Sequence, residues 1–251
     1  MAEIPRAEII GVKISAIDMD VALETIDSWV AERAAHYICV TPVHSIMDCQ
    51  KDPDLMRIFN ASGLTTPDGM PLVWLLKAFG HRQIDRVYGP DLMLALSQHG
   101  VTRGYRHYFY GGAPGIAERL SARLQERFPG LQVVGTYCPP FRPLTQDEDW
   151  QVIETIRAAQ PDIVWVGISS PKQEYWMRDH VERLGVPALI GVGAAFDFHS
   201  GAKRQAPRWI QRSGFEWLFR LANEPLRLWP RYRQYPRFVW LVLRQLLHRT
   251  G

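Results

Sequence analysis

Five short segments of the 251-residue chain hold most of the side chains and turns that could do chemistry. They are Thr41-Pro42-Val43-His44-Ser45, Thr66-Pro67-Asp68-Gly69, Gly111 to Gly115, Ser169-Ser170-Pro171-Lys172-Gln173-Glu174, and Gly193-Ala194-Ala195-Phe196-Asp197-Phe198-His199. Asp68, set between Pro67 and Gly69, is the strongest carboxylate candidate for a general base, with a turn-forming Asp as the plain alternative. Gly111 and Gly112 suit a strand-to-helix turn whose backbone N–H groups face a diphosphate, and equally suit an ordinary tight turn. His44 and His199 share these loops, where a lone His is more often a hydrogen-bonded bystander than a catalyst.

Other chemistries lose support. Gly191-Val192-Gly193 lacks the third glycine of a dinucleotide fingerprint, and no P-loop is present. No HExxH, GxSxG or Cys/His pair occurs. Asp18-Met19-Asp20 has the form of a metal-binding DxD, but it precedes a helix-like stretch and reads better as an N-cap. Asp52-Pro53-Asp54 reads as a cap followed by proline at the first helical position, and Asp147-Glu148-Asp149 as first-turn acids. The three cysteines, Cys39, Cys49 and Cys138, are too scattered for a disulfide framework or a zinc site. A reducing compartment and no metal are expected.

The elements that must position the five loops alternate along the chain. Tyr37 to Val40, Leu64 to Thr66, Tyr108 to Tyr110, Leu131 to Gly135, Ile163 to Gly167 and Ala188 to Val192 read as apolar strands after a β-rich start at Ile9 to Ile14. Helical patterns fall at Val21 to Ala34, Ile46 to Asn60 with a restart at Pro53, Gly115 to Phe128, Asp149 to Ala159 and Gln173 to Leu184. This alternation predicts an α/β fold with a mostly parallel sheet covered by helices, and ligands at the carboxyl ends of the strands. With 47% hydrophobic and 22% charged residues, the chain suits one globular domain with a small appendage. Met-Ala-Glu-Ile-Pro-Arg lacks the features of a secretory leader, and the late apolar run Phe238 to Leu243 is far short of the roughly 20 residues of a membrane span.

The appendage is legible in the charge. From Lys203 onward eleven Lys or Arg stand against Glu216 and Glu224, a net of +9, which leaves −6 on the first 202 residues. The cations alternate with Trp209, Phe215, Trp217, Trp229, Tyr232, Tyr235 and Trp240. An anionic membrane surface or a nucleic acid would suit such a segment, and so would plain packing of an amphipathic subdomain. The acidic body argues against nucleic acid. Pro225, Pro230 and Pro236 are expected to break the segment into short helices. The division falls at 1–202 and 203–251, and removal of residues after Gly201 is expected to leave a folded body.

Taken in order, several stretches resemble the WecG/TagA/CpsF family of bacterial glycosyltransferases. They are Thr66-Pro67-Asp68-Gly69-Met70-Pro71, Arg86-Val87-Tyr88-Gly89-Pro90-Asp91, Tyr110-Gly111-Gly112-x-Pro-Gly115, Pro171-Lys172-Gln173-Glu174, Gly191-Val192-Gly193-x-x-Phe-Asp197-Phe, Arg204 to Trp209, Glu216-Trp217-Leu218-x-Arg220-Leu221 and Glu224-Pro225-x-Arg227. The resemblance covers roughly residues 11–231. It implies a Rossmann-like fold called GT-E and inverting, metal-independent transfer from a UDP-sugar to a polyprenyl-diphosphate-linked saccharide at the cytoplasmic membrane face. Members build exopolysaccharide, capsule, teichoic acid linkage units or enterobacterial common antigen. By position, Asp68 matches the family's catalytic base and Thr41 an active-site threonine. Arg86, Gln173 and Asp197 match the lining of the nucleotide-sugar pocket, with Lys172, Gly111 and Gly112 suited to the diphosphate. Arg220 and Arg227 match appendage arginines facing the lipid diphosphate. Members often carry Asn where Val43 stands, a departure at a sugar contact. An arginine- and aromatic-tailed binding module without catalysis is the alternative, and assembly into a homo-oligomer stays open.

Overall fold

The computed structural model describes residues 4–249. The chain opens with an antiparallel hairpin, β1 (Arg6–Ile9) and β2 (Val12–Ser15). The apolar run Ile9 to Ile14 is therefore two strands, divided where Ile10 and Gly11 take positive φ. There follow α1 (Met19–Glu32), β3 (His36–Thr41), α2 (Val43–Cys49), α3 (Pro53–Ala61), β4 (Leu64–Pro67), α4 (Met70–Ala78), α5 (Gly89–Arg103), β5 (Arg106–Gly111) and α6 (Ile116–Arg127). The body is completed by β6 (Gln132–Tyr137), α7 (Gln146–Ala158), β7 (Ile163–Gly167), α8 (Lys172–Leu184), β8 (Ala188–Gly191) and the short α9 (Ala195–His199). Residues 70–103, for which the sequence reading gives no element, form two helices with Pro71 and Pro90 in their first turns.

Strands β3 to β8 form one parallel sheet in the order β4-β3-β8-β7-β5-β6. The α/β, Rossmann-like reading is the architecture found, with an apolar layer on each face of the sheet. One layer holds Ile14, Ile46, Phe59, Tyr110, Ile153 and Met177; the other holds Ile26, Leu92, Phe109, Leu120, Trp165 and Phe196. The acidic pairs do the work of caps: Asp18 accepts from Val21 N, and Asp52 from Asp54 N and Leu55 N. Thr145 and Glu148 form a reciprocal capping box on α7.

Beyond residue 203 the chain is helical, with α10 (Arg208–Ser213), α11 (Glu216–Asn223), α12 (Pro225–Tyr232) and α13 (Tyr235–Arg249). Pro225 and Pro236 begin helices, while Pro230 lies inside α12. The segment docks on the body. Phe238 and Val242 are buried in the first apolar layer, and Gln245 bridges to the hairpin, accepting from Ile10 N at 2.9 Å and donating to Glu8 O at 2.8 Å. Trp209, Phe215, Trp229, Trp240 and Leu243 stay exposed. Among the described residues no helix is long and apolar enough to cross a membrane.

Candidate active site

The carboxyl ends of the strands open into a cleft of ≈ 1170 Å³. The chain pairs β4 beside β3 and then crosses the sheet to build β5, so the strand order reverses next to this opening, the usual place for a ligand in such sheets. Asp68, Tyr88, Gly112, Gln173 and Trp176 of the body line the cleft, and Arg220, Arg227 and Arg231 come from the tail. A small crevice beside Asp68 adds Arg86 and Glu216.

Asp68 sits where β4 gives way to α4. Its N–H donates to Thr66 O at 3.0 Å and Thr41 O at 3.3 Å, so the end of β3 fixes its backbone. Its Oδ1 accepts at 3.0 Å from Gly89 N, the first amide of α5. Burial raises its pKa above the ordinary carboxylate value, Arg86 opposes that rise, and Glu216 adds to it. A raised pKa brings a carboxylate closer to what a general base needs. His44 is the contrasting group in the same wall, because burial, together with Arg231 and Arg220, lowers its pKa to about 3. A ring that weak a base stays neutral and does not compete for the proton.

The other expected residues are distributed unevenly. Thr41 is fully buried, and its hydroxyl donates to Cys39 O at 2.8 Å, so its contribution to the site runs through its backbone. Arg86 lines the crevice and not the main cleft. Its Nε donates to Asp68 O, and its outer nitrogens reach Glu216 Oε2 at 2.6 Å and Gln211 O at 3.2 Å. Gly111 lies behind the cleft wall, where an added Cβ would fall 2.6 Å from the Gly167 carbonyl. The Gly112 amide donates to that carbonyl at 3.0 Å and is spent there, although Gly112 itself lines the cleft. Lys172 stands exposed at the mouth, 5.6 Å from the Phe141 ring centre. Gln173 is buried in the cleft lining. Asp197 pairs with Lys203 at 2.9 Å, and the same ammonium reaches Glu224 at 3.0 Å. Arg220 lies 5.7 Å from the Phe198 ring centre, and Arg227 pairs with Glu224.

Several members of the site escape the sequence reading. Glu216 accepts from Tyr88 Oη at 2.8 Å as well as from Arg86, tying the tail to the Asp68 pocket. Arg231 donates to Ser170 O at 3.2 Å, and burial with the nearby Arg227 and Arg220 holds its pKa below the usual guanidinium value. Three guanidinium groups lining one cleft make a ready anion site. Glu174, fully buried next to Gln173, has its pKa pushed up to about 7 by burial. Tyr110, Trp176 and His180 stack with ring centres 4.2 and 4.3 Å apart, and Asp149 holds the far end by a 2.8 Å bond to His180. One signal for Glu216 was available: it is one of only two acids in a segment with eleven cations. Among the described residues no group of three or more His, Cys, Asp or Glu is placed to hold a metal ion.

Residues 7–251 match the sequence model of the Glycosyl transferase WecG/TagA/CpsF family. The chain belongs to this family. Among its relatives are proteins of Bacillus spizizenii and Bacillus subtilis, each named N-acetylglucosaminyldiphosphoundecaprenol N-acetyl-beta-D-mannosaminyltransferase. The first is 28% identical over 197 residues, covering 78% of this chain and 74% of that protein. The second is 27% identical over 195 residues, with the same coverage of each.

Proposed function

We propose that the protein transfers a sugar from a UDP-sugar to a polyprenyl-diphosphate-linked saccharide, with inversion, in the assembly of a cell-surface polysaccharide. The observation that carries this reading is the meeting, in one cleft, of a buried carboxylate on the body and three arginines on the tail. The acceptor hydroxyl gives its proton to Asp68 as its oxygen attacks C1 of the sugar from the face opposite UDP. The bond from C1 to the β-phosphate oxygen breaks, and UDP departs. Arg220, Arg227 and Arg231 take the diphosphate of the lipid-linked acceptor by charge-assisted hydrogen bonds. Lys172 at the mouth helps to offset charge on the leaving diphosphate in place of a cation cofactor. The β-linkage in the relatives' names is what inversion of an α-linked donor produces, which supports the stereochemistry.

The exposed Trp229, Trp240 and Leu243, set among arginines, suit the headgroup boundary of an anionic membrane, each cation adding on the order of 1 kcal/mol. The protein works as a peripheral enzyme on the cytoplasmic face. The test is UDP release with a short-chain polyprenyl-diphosphate-linked N-acetylglucosamine acceptor, with UDP-N-acetylmannosamine as the first donor and other UDP-sugars after it. Acceptor-dependent release of UDP that persists in excess EDTA, with a β-linked product, is the expected result. No release with any UDP-sugar would sink the reading, and release that EDTA abolishes and magnesium restores would sink its metal-free part.

A further inference from the structure

Gln173, which lines the cleft, and Glu174, fully buried behind it, each carry a buried oxygen without a hydrogen-bond partner. These are Gln173 Oε1 and Glu174 Oε2. The two side chains are joined at their other ends, Gln173 Nε2 donating to Glu174 Oε1 at 3.0 Å. Ser170 Oγ comes close enough to ease the charge on Glu174 without forming a well-aligned hydrogen bond.

We propose that Glu174 is a positioning residue that clamps the Gln173 amide by its NH2 group, leaving Oε1 as a fixed acceptor that reads a hydrogen-bond donor on the transferred sugar. A glutamine carries a donor end and an acceptor end of nearly the same shape, and an unrestrained amide can present either. A carboxylate only accepts, so it takes the NH2 end and excludes the flipped orientation. The surrounding glycines fit this arrangement. A Cβ on Gly191 would fall 3.0 Å from Gln173 Nε2, so that glycine lets the end of β8 close over the amide. A Cβ on Gly193 would lie 3.5 Å from Oε1, so this glycine of the cleft lining is what stands beside the buried acceptor. A hydroxyl or amide N–H arriving there satisfies Oε1, whereas a sugar lacking a donor leaves it orphaned. Sites that reject a substrate lacking one hydrogen bond discriminate in this way.

The clamp depends on charge. The titratable and charged groups facing Glu174 are Cys39 on β3, Cys49 on α2 and Arg231 on α12. Both thiols are held far above their ordinary values by burial, and His44 nearby on α2 stays neutral. The carboxyl, near 7, is therefore the group in this cluster that changes charge around neutrality. Once protonated it has an O–H of its own to offer Oε1, which blocks the acceptor. Sugar recognition accordingly strengthens as pH rises through about 7 and fades below it.

The proposal rests on the nucleotide-sugar reading of the cleft, and the test separates the two. Donor KM and kcat are measured from about pH 6 to 8 on the wild type and on Glu174→Gln, with UDP affinity by calorimetry on both. The expected result is a wild-type donor KM that rises as pH falls, and a Glu174→Gln KM raised about tenfold or more and flat with pH. In that variant kcat stays within about twofold and UDP affinity is unchanged, because UDP has no sugar to read. A wild-type donor KM that does not vary with pH overturns the clamp without any variant. An unchanged KM in Glu174→Gln, or a loss of UDP affinity parallel to the rise in KM, overturns it as well. A wild type that binds no UDP overturns the underlying reading.

Discussion

The tail meets the cleft at two ionic junctions, and they differ in burial. At the first, Arg86 and Glu216 pair at 2.6 Å with 12% and 11% of their side chains exposed, directly against Asp68. At the second, Lys203 bridges Asp197 and Glu224 at 2.9 and 3.0 Å, with Lys203 37% and Glu224 28% exposed. The tail has only these two acids within residues 203–251, and each is spent on a residue of the site. Water screens the second junction and hardly reaches the first. The two carboxylates of the cleft follow the same division. Asp68 is buried with a raised pKa, while Asp197 is partly exposed and already engaged by an ammonium. That contrast favours Asp68 as base and leaves Asp197 a holding role.

The sharpest way to break this contrast is to exchange the roles by mutation. Asp68→Asn should keep the fold and UDP affinity and slow transfer about a hundredfold or more, the scale of a lost general base. Asp197→Asn should raise the donor KM and leave kcat much closer to wild type. The sign of the pH dependence follows from the raised pKa: activity needs the carboxylate, so it falls as pH drops through a value above the ordinary carboxylate range. Steady-state UDP release across pH, with thermal melts to certify folding, decides it. Near-normal turnover of folded Asp68→Asn would transfer the base role to Asp197.

Next in size is the buried junction. Glu216→Ala leaves Arg86 charged, buried and unpaired, which typically costs about 3–5 kcal/mol, whereas an exposed pair is worth about 0–1. Urea unfolding followed by tryptophan fluorescence should show the loss, together with faster proteolysis of α10 to α12. Because Glu216 helps to raise the Asp68 pKa, the acid limb of activity in Glu216→Ala should also move to lower pH. Cutting the chain after Gly201 should do more harm than the sequence suggests, since it removes Phe238 and Val242 from the first apolar layer as well as Glu216. A truncated body that melts like the full chain would show the tail to be a detachable appendage after all.

The sequence reading succeeded where local rules suffice. Strand ends followed by Gly, Pro and polar residues announced five strand-to-helix junctions, though Val43 to Ser45, Lys172 to Glu174 and Ala195 to His199 lie in α2, α8 and α9 and not in loops, and Asp18 and Asp52 cap helices as their spacing predicts. It failed where partners are distant in the chain. Arg86 and Glu216 are 130 residues apart, and Arg231 and Ser170 are 61 apart, distances over which periodicity says nothing. At two expected positions a backbone carbonyl takes the donor, which no local pattern announces: Cys39 O takes the Thr41 hydroxyl, and Gly167 O takes the Gly112 amide. Residues 70–103 form α4 and α5, each with a proline in its first turn, α4 packing into the first apolar layer and α5 into the second, and both went unread.

The arginines between the junctions should show an intermediate effect. A hydrogen bond to a charged group is worth about 1.5–3 kcal/mol, so Arg220→Ala or Arg231→Ala should each lower kcat/KM for the lipid-linked acceptor roughly ten- to a hundredfold. Arg227→Ala should fall at the low end, because Glu224 already shares its guanidinium. Donor KM should stay near wild type in Arg220→Ala and Arg227→Ala, and should rise near neutrality in Arg231→Ala, because Arg231 helps to keep Glu174 ionised. Trp229→Ala, at an exposed position, should instead reduce co-sedimentation with anionic liposomes and leave turnover on a short, water-soluble acceptor unchanged. Equal losses on both kinds of acceptor for Trp229→Ala would place that ring in the site and not at the membrane.

The smallest expected effect belongs to the exposed junction, and acid reveals it. Arg227 and Lys203 hold the Glu224 pKa down at about 2, against burial and below its ordinary 4.5. A carboxyl whose pKa is lower in the folded state stabilises the fold fully above its unfolded value and loses that contribution as pH falls through the folded one. The window therefore runs from about 4.5 down to about 2. Solvent screening at Lys203 and Arg227 keeps the contribution under roughly 1 kcal/mol. Glu148, held at about 2 by Arg142, titrates in the same window on the body, so the raw acid transition mixes the two groups. The difference between wild type and Glu224→Gln isolates the junction. Unfolding free energies of the pair should differ by less than about 1 kcal/mol at neutral pH and converge as pH approaches 2. A difference as large as that of Glu216→Ala would show the Lys203 junction to be as dry as the Arg86 one, and the contrast between them would be lost.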